Sequence, residues 1–258
     1  MKLYIESLKM HLKSTLEYKA SFIISFLSQI LVFFSHYFII IALFTKFNNI
    51  KGFTLYEVLL CFGIIQLGFS INDTFARGID RFDVIVKNGD FDRFLVRPKN
   101  LILQVLCNNI DFVKLSRVIQ AIIVLAIALN HLDITWTISK VITLILMILS
   151  SILIFFGIFT ISAALCFITI DGIELRNVFT DGGREMAKYP IGIFKKELVF
   201  VLTFIIPYGL VNYYPLLYFL GKSNKISYML SPILVAFYLI PAFIVFYQGV
   251  KRYSSIGS

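Results

Sequence analysis

Charged side chains are scarce in this chain of 258 residues. Asp, Glu, Lys and Arg make up 15% of it, whereas a soluble globular domain carries about 25%. Hydrophobic residues reach 59%, and the mean hydropathy is +0.86. A single water-soluble core is therefore a poor explanation of this composition, and the sequence predicts an all-α polytopic membrane protein.

Cysteine is rare as well. Cys61, Cys107 and Cys166 stand far apart, and each lies in or beside an apolar run. This spacing disfavours a disulfide framework or a zinc site. We expect ordinary buried thiols, since cysteine is among the most buried residue types.

The sequence also lacks the common motifs of hydrolytic and phosphate chemistry. It contains no H-E-x-x-H and no G-x-S-x-G. Gly221-Lys222-Ser223 looks like the end of a phosphate-binding loop, but Leu216 stands where its first glycine is required. Asp171-Gly172 and Asp181-Gly182-Gly183 lack the further aspartates of a metal-dependent lipid transferase. We therefore predict no catalytic residue, no metal site and no cofactor in this chain.

Ionisable residues are few within the apolar runs, where they would mark an ion pathway. Glu57 lies near one end of the second run, and His36 is the lone histidine of the first. These two groups make no chain of carboxylates, so an ion-driven transporter is disfavoured. Gln29 lies two turns from His36, so the two can line a polar seam. A lone histidine in a span is nevertheless more often satisfied against a neighbouring helix.

Six runs are apolar and long enough to cross about 30 Å of hydrocarbon, which takes about 20 residues. The predicted spans cover residues 20–44, 53–71, 115–130, 138–170, 198–220 and 226–250. Prolines interrupt the last two spans, so the fifth is expected to be a shorter helix followed by a re-entrant piece. Residues 1–19 form an amphipathic pattern that predicts a helix in the headgroup plane.

Basic residues alternate between the two sides of these spans. Lys and Arg number 19 on one side and 5 on the other. The positive-inside rule places the side with 19 basic residues in the cytoplasm. Both termini and residues 72–114 are then cytoplasmic, and the protein is expected in a cell membrane. The net charge of +9 invites a nucleic-acid interpretation, but the charges fall between apolar runs and not along one face, so no nucleic-acid partner is predicted.

A polar island at 72–117 holds 8 of the 24 basic residues. Spacings of four, three and four residues place one apolar set on a single helical face. That set is Phe75, Ile79, Phe82 and Val86. Asn88-Gly89 is a natural helix end, after which Asp90 can cap a second helix bearing Phe91, Phe94 and Leu95. A hairpin on the bilayer and a helix pair inserted into a groove of a cytosolic partner fit this amphipathic pattern equally well.

The segment Gly89-Asp90-Phe91-Asp92 … Leu95-Val96-Arg97-Pro98 resembles the G-x-x-D-x-x-L-x-R-P motif of ABC-2 type permeases. The likeness continues at 111–117, at Lys188-Tyr189-Pro190, and at Pro207 followed by Tyr213-Tyr214-Pro215. The amphipathic first helix and the six spans also match. The resemblance therefore covers nearly the whole chain.

The resemblance implies a permease subunit of an ATP-driven exporter, in a bacterial plasma membrane. A second permease, identical or homologous, would complete the path, and two cytosolic ATPase subunits would bind ATP and magnesium. Residues 75–87 and 90–97 would then be coupling helices. The implied coupling residues are Phe75, Ile79, Phe82, Asp83, Val86, Gly89, Asp92, Phe94, Leu95, Arg97 and Pro98. A path or gate is expected at Gln29, His36, Pro207, Tyr213, Tyr214 and Pro215.

Sparse charge in the spans suits an amphipathic or lipid-like cargo. Two alternatives stay open from the sequence. The first is a membrane-embedded enzyme acting on lipid, which would need a polar catalytic cluster at one membrane depth. The second is a membrane anchor or assembly protein that recruits a cytosolic partner through the same island without transport.

Overall fold

A computed structural model describes residues 2–167 and 177–254 of the chain. Over these ranges the structure is helical apart from turns, loops and one isolated bridge between Ile50 and Phe53. Five helices are long and apolar enough to cross a membrane, or six spans result if one bent pair is counted. The prediction of an all-α polytopic membrane protein is confirmed.

In chain order, the α-helices of the described residues are α1 (Lys2–Glu17), α2 (Lys19–Lys46), α3 (Leu55–Phe75), α4 (Arg77–Asp80), α5 (Phe82–Lys87), α6 (Phe91–Leu95), α7 (Leu101–Asn108), α8 (Leu115–His131), α9 (Ile138–Leu165), α10 (Gly183–Ala187), α11 (Lys196–Phe200), α12 (Tyr214–Phe219), α13 (Ile226–Leu230) and α14 (Leu239–Arg252). Tighter or wider turns extend several of them: 3₁₀ turns at Phe112–Lys114, Ile191–Ile193 and Ser231–Tyr238, and π turns at Val178–Gly182, Val201–Ile205 and Gly209–Tyr213.

Helix α3 is the centre of the bundle. It is 83% buried over its apolar window, whereas α2 is 6% buried and lies at the edge. Small residues let α3 approach α9 closely. A Cβ added to Gly68 would lie 2.6 Å from the carbonyl oxygen of Ser151. The Asn72 amide closes the same interface by donating to the carbonyl of Ile152 at 2.8 Å.

The bundle has two distinct ends. The island end carries α4 to α7, and the opposite end carries the connections at 132–137 and 220–225. Because α3 runs from the opposite end to the island end, its residues mark depth within the bundle. At the opposite end, Glu57 accepts a hydrogen bond from the backbone N–H of Thr54 at 2.8 Å, and Lys222 lies 2.7 Å from the Glu57 carboxylate.

Helix α1 packs on the island. The Tyr4 hydroxyl donates to the carbonyl of Phe75 at 2.8 Å, and the Ser7 hydroxyl donates to that of Cys107 at 2.7 Å. Ile5 and Met10 are exposed on other faces of α1. The amphipathic pattern thus serves both a polar contact with the island and an apolar outer surface.

The predicted fifth span at 198–220 is not one straight helix. The segments Lys196–Ile205 and Gly209–Phe219 meet at 94° around Pro207. Ile206 has the extended backbone favoured before a proline. Pro215, by contrast, lies in the first turn of α12, where its missing N–H costs nothing.

The chain crosses the bundle before this bend. Arg184 lies over the ring of Phe69 at 4.1 Å, and Lys188 lies 5.6 Å from the ring of Phe62, about two turns nearer the opposite end. Phe194 then lines a cavity together with Asn49, which connects α2 to α3 at the opposite end. Residues 183–194 therefore climb along α3.

The bent pair consequently forms a re-entrant hairpin. Its first arm begins beside the opposite end, and its second arm returns there, where Phe219 packs against Trp136 at 5.9 Å between ring centroids. Its turn lies deeper, because Tyr208 contacts Phe155 of α9. The positive-inside count assigns the five basic residues of 171–197 to a cytoplasmic loop, of which residues 171–176 lie outside the described part of the chain. For Arg184 and Lys188 this assignment is wrong, because they lie along α3 against Phe69 and Phe62.

Candidate functional site

Five aromatic rings join the island to the ends of two long helices. We call this group the aromatic hub, and its members are Phe82, Phe91, Phe167, Phe246 and Tyr253. The ring of Phe82 lies 5.1 to 5.6 Å from those of Phe91, Phe167 and Phe246. These are edge-to-face distances, at which ring pairs attract beyond simple burial. The hub therefore ties α5 and α6 to the end of α9 and to α14.

The apolar face predicted to enter a partner's groove is packed inside this chain. Phe82 has no exposed surface, and Ile79, Val86 and Phe94 are also buried. This face is therefore not free to insert into a partner's groove, and a coupling role for these residues stays a prediction. The short helices of the island fold back onto the bundle, so α9 and α14 bury this apolar face.

The other predicted coupling residues differ in exposure: Asp83 is buried, Phe75, Gly89 and Asp92 are half-buried, and Leu95, Arg97 and Pro98 are exposed. Gly89 ends α5 with a positive φ of 70°, as expected for the residue after a helix. Asp90 makes no capping bond and instead pairs with Arg93 at 3.1 Å.

An exposed rim surrounds the buried face of the island. It consists of Val84, Lys87, Arg93, Leu95, Val96 and Arg97, which we call the island rim. Val96 is 83% exposed, although it is apolar.

On the α1 side of the island, burial raises the pKa of the Cys107 thiol, so this thiol is less reactive than an exposed one.

A buried charge cluster connects the island to α2, α3 and α8. Asp73 of α3 binds Arg77 and lies 3.1 Å from Arg117 of α8. Arg77 also pairs with Asp80 at 2.7 Å. The Nε of Arg117 donates to Gln29 of α2 at 2.7 Å. We call Asp73, Arg77, Asp80 and Arg117 the charge cluster.

A polar cavity of about 260 Å³ opens beside the charge cluster. Five basic side chains line it, namely Arg77, Arg81, Lys114, Arg117 and Arg184. Its described acidic lining residues are Asp73, Asp80 and Asp181. Arg184 is held by its stacking on Phe69 and by Asp181 at 3.2 Å. We call this space the lower cavity.

A smaller upper cavity of about 60 Å³ lies further along α3. Its polar lining consists of His36, Gln66, Arg117, Arg184 and Lys188. Since Arg117 and Arg184 line both cavities, the two spaces adjoin. We call Arg117, Arg184 and Lys188 the cationic seam.

An apolar cavity of about 520 Å³ lies beyond the seam, between α2 and residues 185–194. Its walls are mostly apolar: Leu43, Phe47, Ile50, Met186, Tyr189, Ile193 and Phe194. Glu185 also lines it and pairs with Lys188, which faces the upper cavity. Glu185 also lies 3.3 Å from Arg184, so this carboxylate stands between the basic chamber and the apolar one.

Two of the predicted path residues face the cationic seam. Gln29 binds Arg117, and His36 lines the upper cavity with its Nε2 3.9 Å from Glu185. The remaining predicted path residues lie apart from these two, on the re-entrant hairpin. They are Pro207 at the bend and Tyr213, Tyr214 and Pro215 on the returning arm. A role of any of them in a path or gate stays a prediction.

Sequence reasoning missed both the face of α3 that lies beside the seam and the seam residues Arg184 and Lys188. Phe62, Gln66, Phe69 and Asp73 recur at steps of four, three and four residues on α3. Polar residues seven positions apart in an apolar run were the available signal for a polar helix face. Arg184 and Lys188 gave no such signal, because their segment reads as a basic loop.

The family model described as ABC-2 family transporter protein matches residues 30–257, most of the chain. No curated protein and no solved structure matches.

Proposed function

We infer that this chain, which belongs to the ABC-2 transporter family, is the permease subunit of an ATP-driven exporter. The observation that carries the proposal is the dual attachment of the island. The aromatic hub fixes it to α9 and α14, and the charge cluster fixes it to α2, α3 and α8. A push on the island therefore reaches five long helices.

The island suits the transmission of force because its attachments are rigid. Packed rings move as a unit, since interiors have few voids to absorb a displacement. Backbone contacts add to this rigidity: the N–H of Gly78 donates to the carbonyl of Asn109 at 3.1 Å, and that of Asp111 donates to Thr74 at 3.0 Å. Closure of an attached ATPase would thus shift helix ends without first deforming the island.

The island rim is the surface we assign to the ATPase. It combines exposed apolar residues, such as Leu95 and Val96, with basic ones, such as Arg93. This mixture is common in interfaces, where apolar contacts are surrounded by a polar edge. ATP and magnesium would bind in that partner, in the cytoplasm, and the island and both termini would face it. The largely unburied α2 is the surface we assign to a second permease.

The docking experiment uses exposed residues, so that folding and docking are separated. Arg93→Glu combined with Val96→Asp should leave insertion and detergent solubility unchanged. Copurification of an ATPase subunit should fall at least tenfold, because hot-spot truncation costs about 2 kcal/mol or more. Lys13→Glu on the exposed face of α1 is the matched control. Mild-detergent purification, mass spectrometry and ATPase assays provide the readouts.

Two outcomes would count against the proposal. The first is recovery of the chain from its native membrane with no nucleotide-hydrolysing subunit. The second is equal loss of the ATPase in the rim variant and in the Lys13 control, which would mean that charge alone governs recovery. Export itself is tested in inside-out vesicles, where ATP added outside should drive uptake.

A further inference from the structure

We propose that the cationic seam binds the anionic head group of an amphipathic ligand, while the apolar cavity holds its hydrocarbon chain. The head group would be a phosphate or a carboxylate. This inference depends on the proposed function only in taking the ligand as transported cargo. It also narrows the expected amphipathic or lipid-like cargo to one with an anionic head group.

The upper cavity has the electrostatic character of an anion site. Among the described residues, its lining contains three basic side chains and no carboxylate. The Nε of Arg184 is buried without a hydrogen-bond partner in the described part of the chain. Each cation has a carboxylate partner outside this lining: Asp73 for Arg117, Asp181 for Arg184 and Glu185 for Lys188. Asp181 and Glu185 are about half exposed, so an anion inside the cavity can replace them at a small desolvation cost. A phosphate suits the site well, since guanidinium groups bind its oxygens in a bidentate manner.

The sizes of the two polar cavities suggest how a head group is accommodated. The upper cavity holds about 60 Å³, or roughly two waters at about 30 Å³ each. That volume suits a compact anionic group. The lower cavity, about 260 Å³ and beside the charge cluster, gives room for entry from the island end. Arg117 and Arg184 border both spaces, so an anion moving between them keeps the same two partners.

The neighbouring apolar cavity argues for an amphiphile over a free anion. Its volume of about 520 Å³ lies within the range of small-molecule sites. Glu185 and Lys188 stand on the boundary, one facing each chamber. A ligand whose anion replaces Glu185 as the partner of Lys188 would place its chain against Leu43 and Ile193. Inorganic phosphate would leave that apolar surface unused.

Binding is tested first on the permease alone, in phosphatidylcholine nanodiscs with radiolabelled decyl phosphate. Empty nanodiscs provide the correction for partitioning. We expect saturable binding, with inorganic phosphate and decyl glucoside each competing at least a hundredfold less well than unlabelled decyl phosphate. Equal competition by decyl glucoside would overturn the anionic class. Equal competition by inorganic phosphate would overturn the amphipathic class.

Variants then locate the site. Lys188→Gln and Arg184→Gln should each weaken binding at least tenfold, Lys188→Arg should retain it within about threefold, and the exposed Lys140→Gln is the control. Unchanged binding in folded Lys188→Gln and Arg184→Gln proteins would overturn the assignment. Leu43→Trp acts independently of the charges, and it should weaken dodecyl phosphate more than octyl phosphate. Equal effects on both chain lengths would overturn the assignment of the apolar cavity.

A final arm separates cargo from a resident lipid. Stimulation of ATPase activity by decyl phosphate in the assembled complex would identify the ligand as cargo. Saturable binding without stimulation would support the anionic site and overturn its role in transport. Absence of an ATPase partner would overturn the proposed function, while the binding result on the isolated permease would stand.

Discussion

The aromatic hub and the cationic seam are both buried, yet burial has opposite consequences in the two places. In the hub, every ring finds an aromatic neighbour within 6 Å. In the seam, three basic groups share a small space, and their carboxylate partners stand outside its lining: Asp73 for Arg117, Asp181 for Arg184 and Glu185 for Lys188. The hub is complete without a ligand, whereas Asp181 and Glu185 are partly exposed, so a bound anion can take their place beside the seam.

This difference separates stability from function. Packed aromatic residues stabilise a fold because each contact is already made in the resting state. Buried like charges do the reverse, and proteins tend to keep perturbed ionisable groups where they are used. We therefore assign the hub to holding the island in place and the seam to recognising a ligand.

The largest loss of stability is expected from Phe82→Asp in the hub. A carboxylate would enter a site with no exposed surface, adding desolvation to the roughly 3–5 kcal/mol lost on removing a buried phenylalanine. We expect loss of the monodisperse peak in fluorescence size-exclusion chromatography. Val96→Asp, at a position that is 83% exposed, should fold normally. A folded Phe82→Asp protein that has lost only its ATPase would instead make Phe82 a docking residue.

A smaller loss is expected at the charge cluster. Arg117→Gln removes one partner of the buried Asp73, but Arg77 still binds that carboxylate. The cost should be about 1–3 kcal/mol, the usual penalty for a partly unsatisfied buried group. Thermal unfolding in detergent measures it. Combining Asp73→Asn with Arg117→Gln should cost less than the sum of the single changes, and strict additivity would contradict direct coupling.

The smallest effect on stability, and one of opposite sign, is expected in the seam. Lys188→Met removes a buried charge and keeps a side chain of similar length, whereas the partner Glu185 is partly exposed and can be hydrated. Such replacements are often neutral or stabilising. We expect a change between zero and about 1 kcal/mol of stabilisation in ligand-free protein, measured by thermal unfolding. Destabilisation comparable to that of Phe82→Ala would place Lys188 with the hub.

Much of the long-helix pattern could be predicted from the sequence, because hydropathy over about 20 residues reports directly on membrane burial. The helix end at Gly89 was also predictable, since it depends on one local conformation. The destination of an amphipathic face was not. The spacing of Ile79, Phe82 and Val86 shows that one face is apolar, but it does not show whether that face meets a partner or its own bundle.

The course of the chain between α9 and α12 was hidden for a different reason. The positive-inside rule assigns basic residues to loops, so it assigned Arg184 and Lys188 to one. In the structure, stacking on Phe69 and proximity to Phe62 accommodate them along α3. Cation–π contacts are tertiary and leave no periodic trace in the sequence. The re-entrant hairpin was suggested by Pro207, but its direction depends on where residues 183–194 end.

Gly183 gives the seam a mechanical connection to that hairpin. A Cβ at this position would lie 2.9 Å from the ring of Tyr208, so the backbone beside Arg184 is in direct contact with the hairpin's turn. Closely packed surfaces cannot slide independently without opening a void. Any displacement of Arg184 along α3 must therefore move Tyr208 or leave a gap. A ligand that displaces Arg184 in the basic chamber would therefore also displace Tyr208 and the turn of the hairpin.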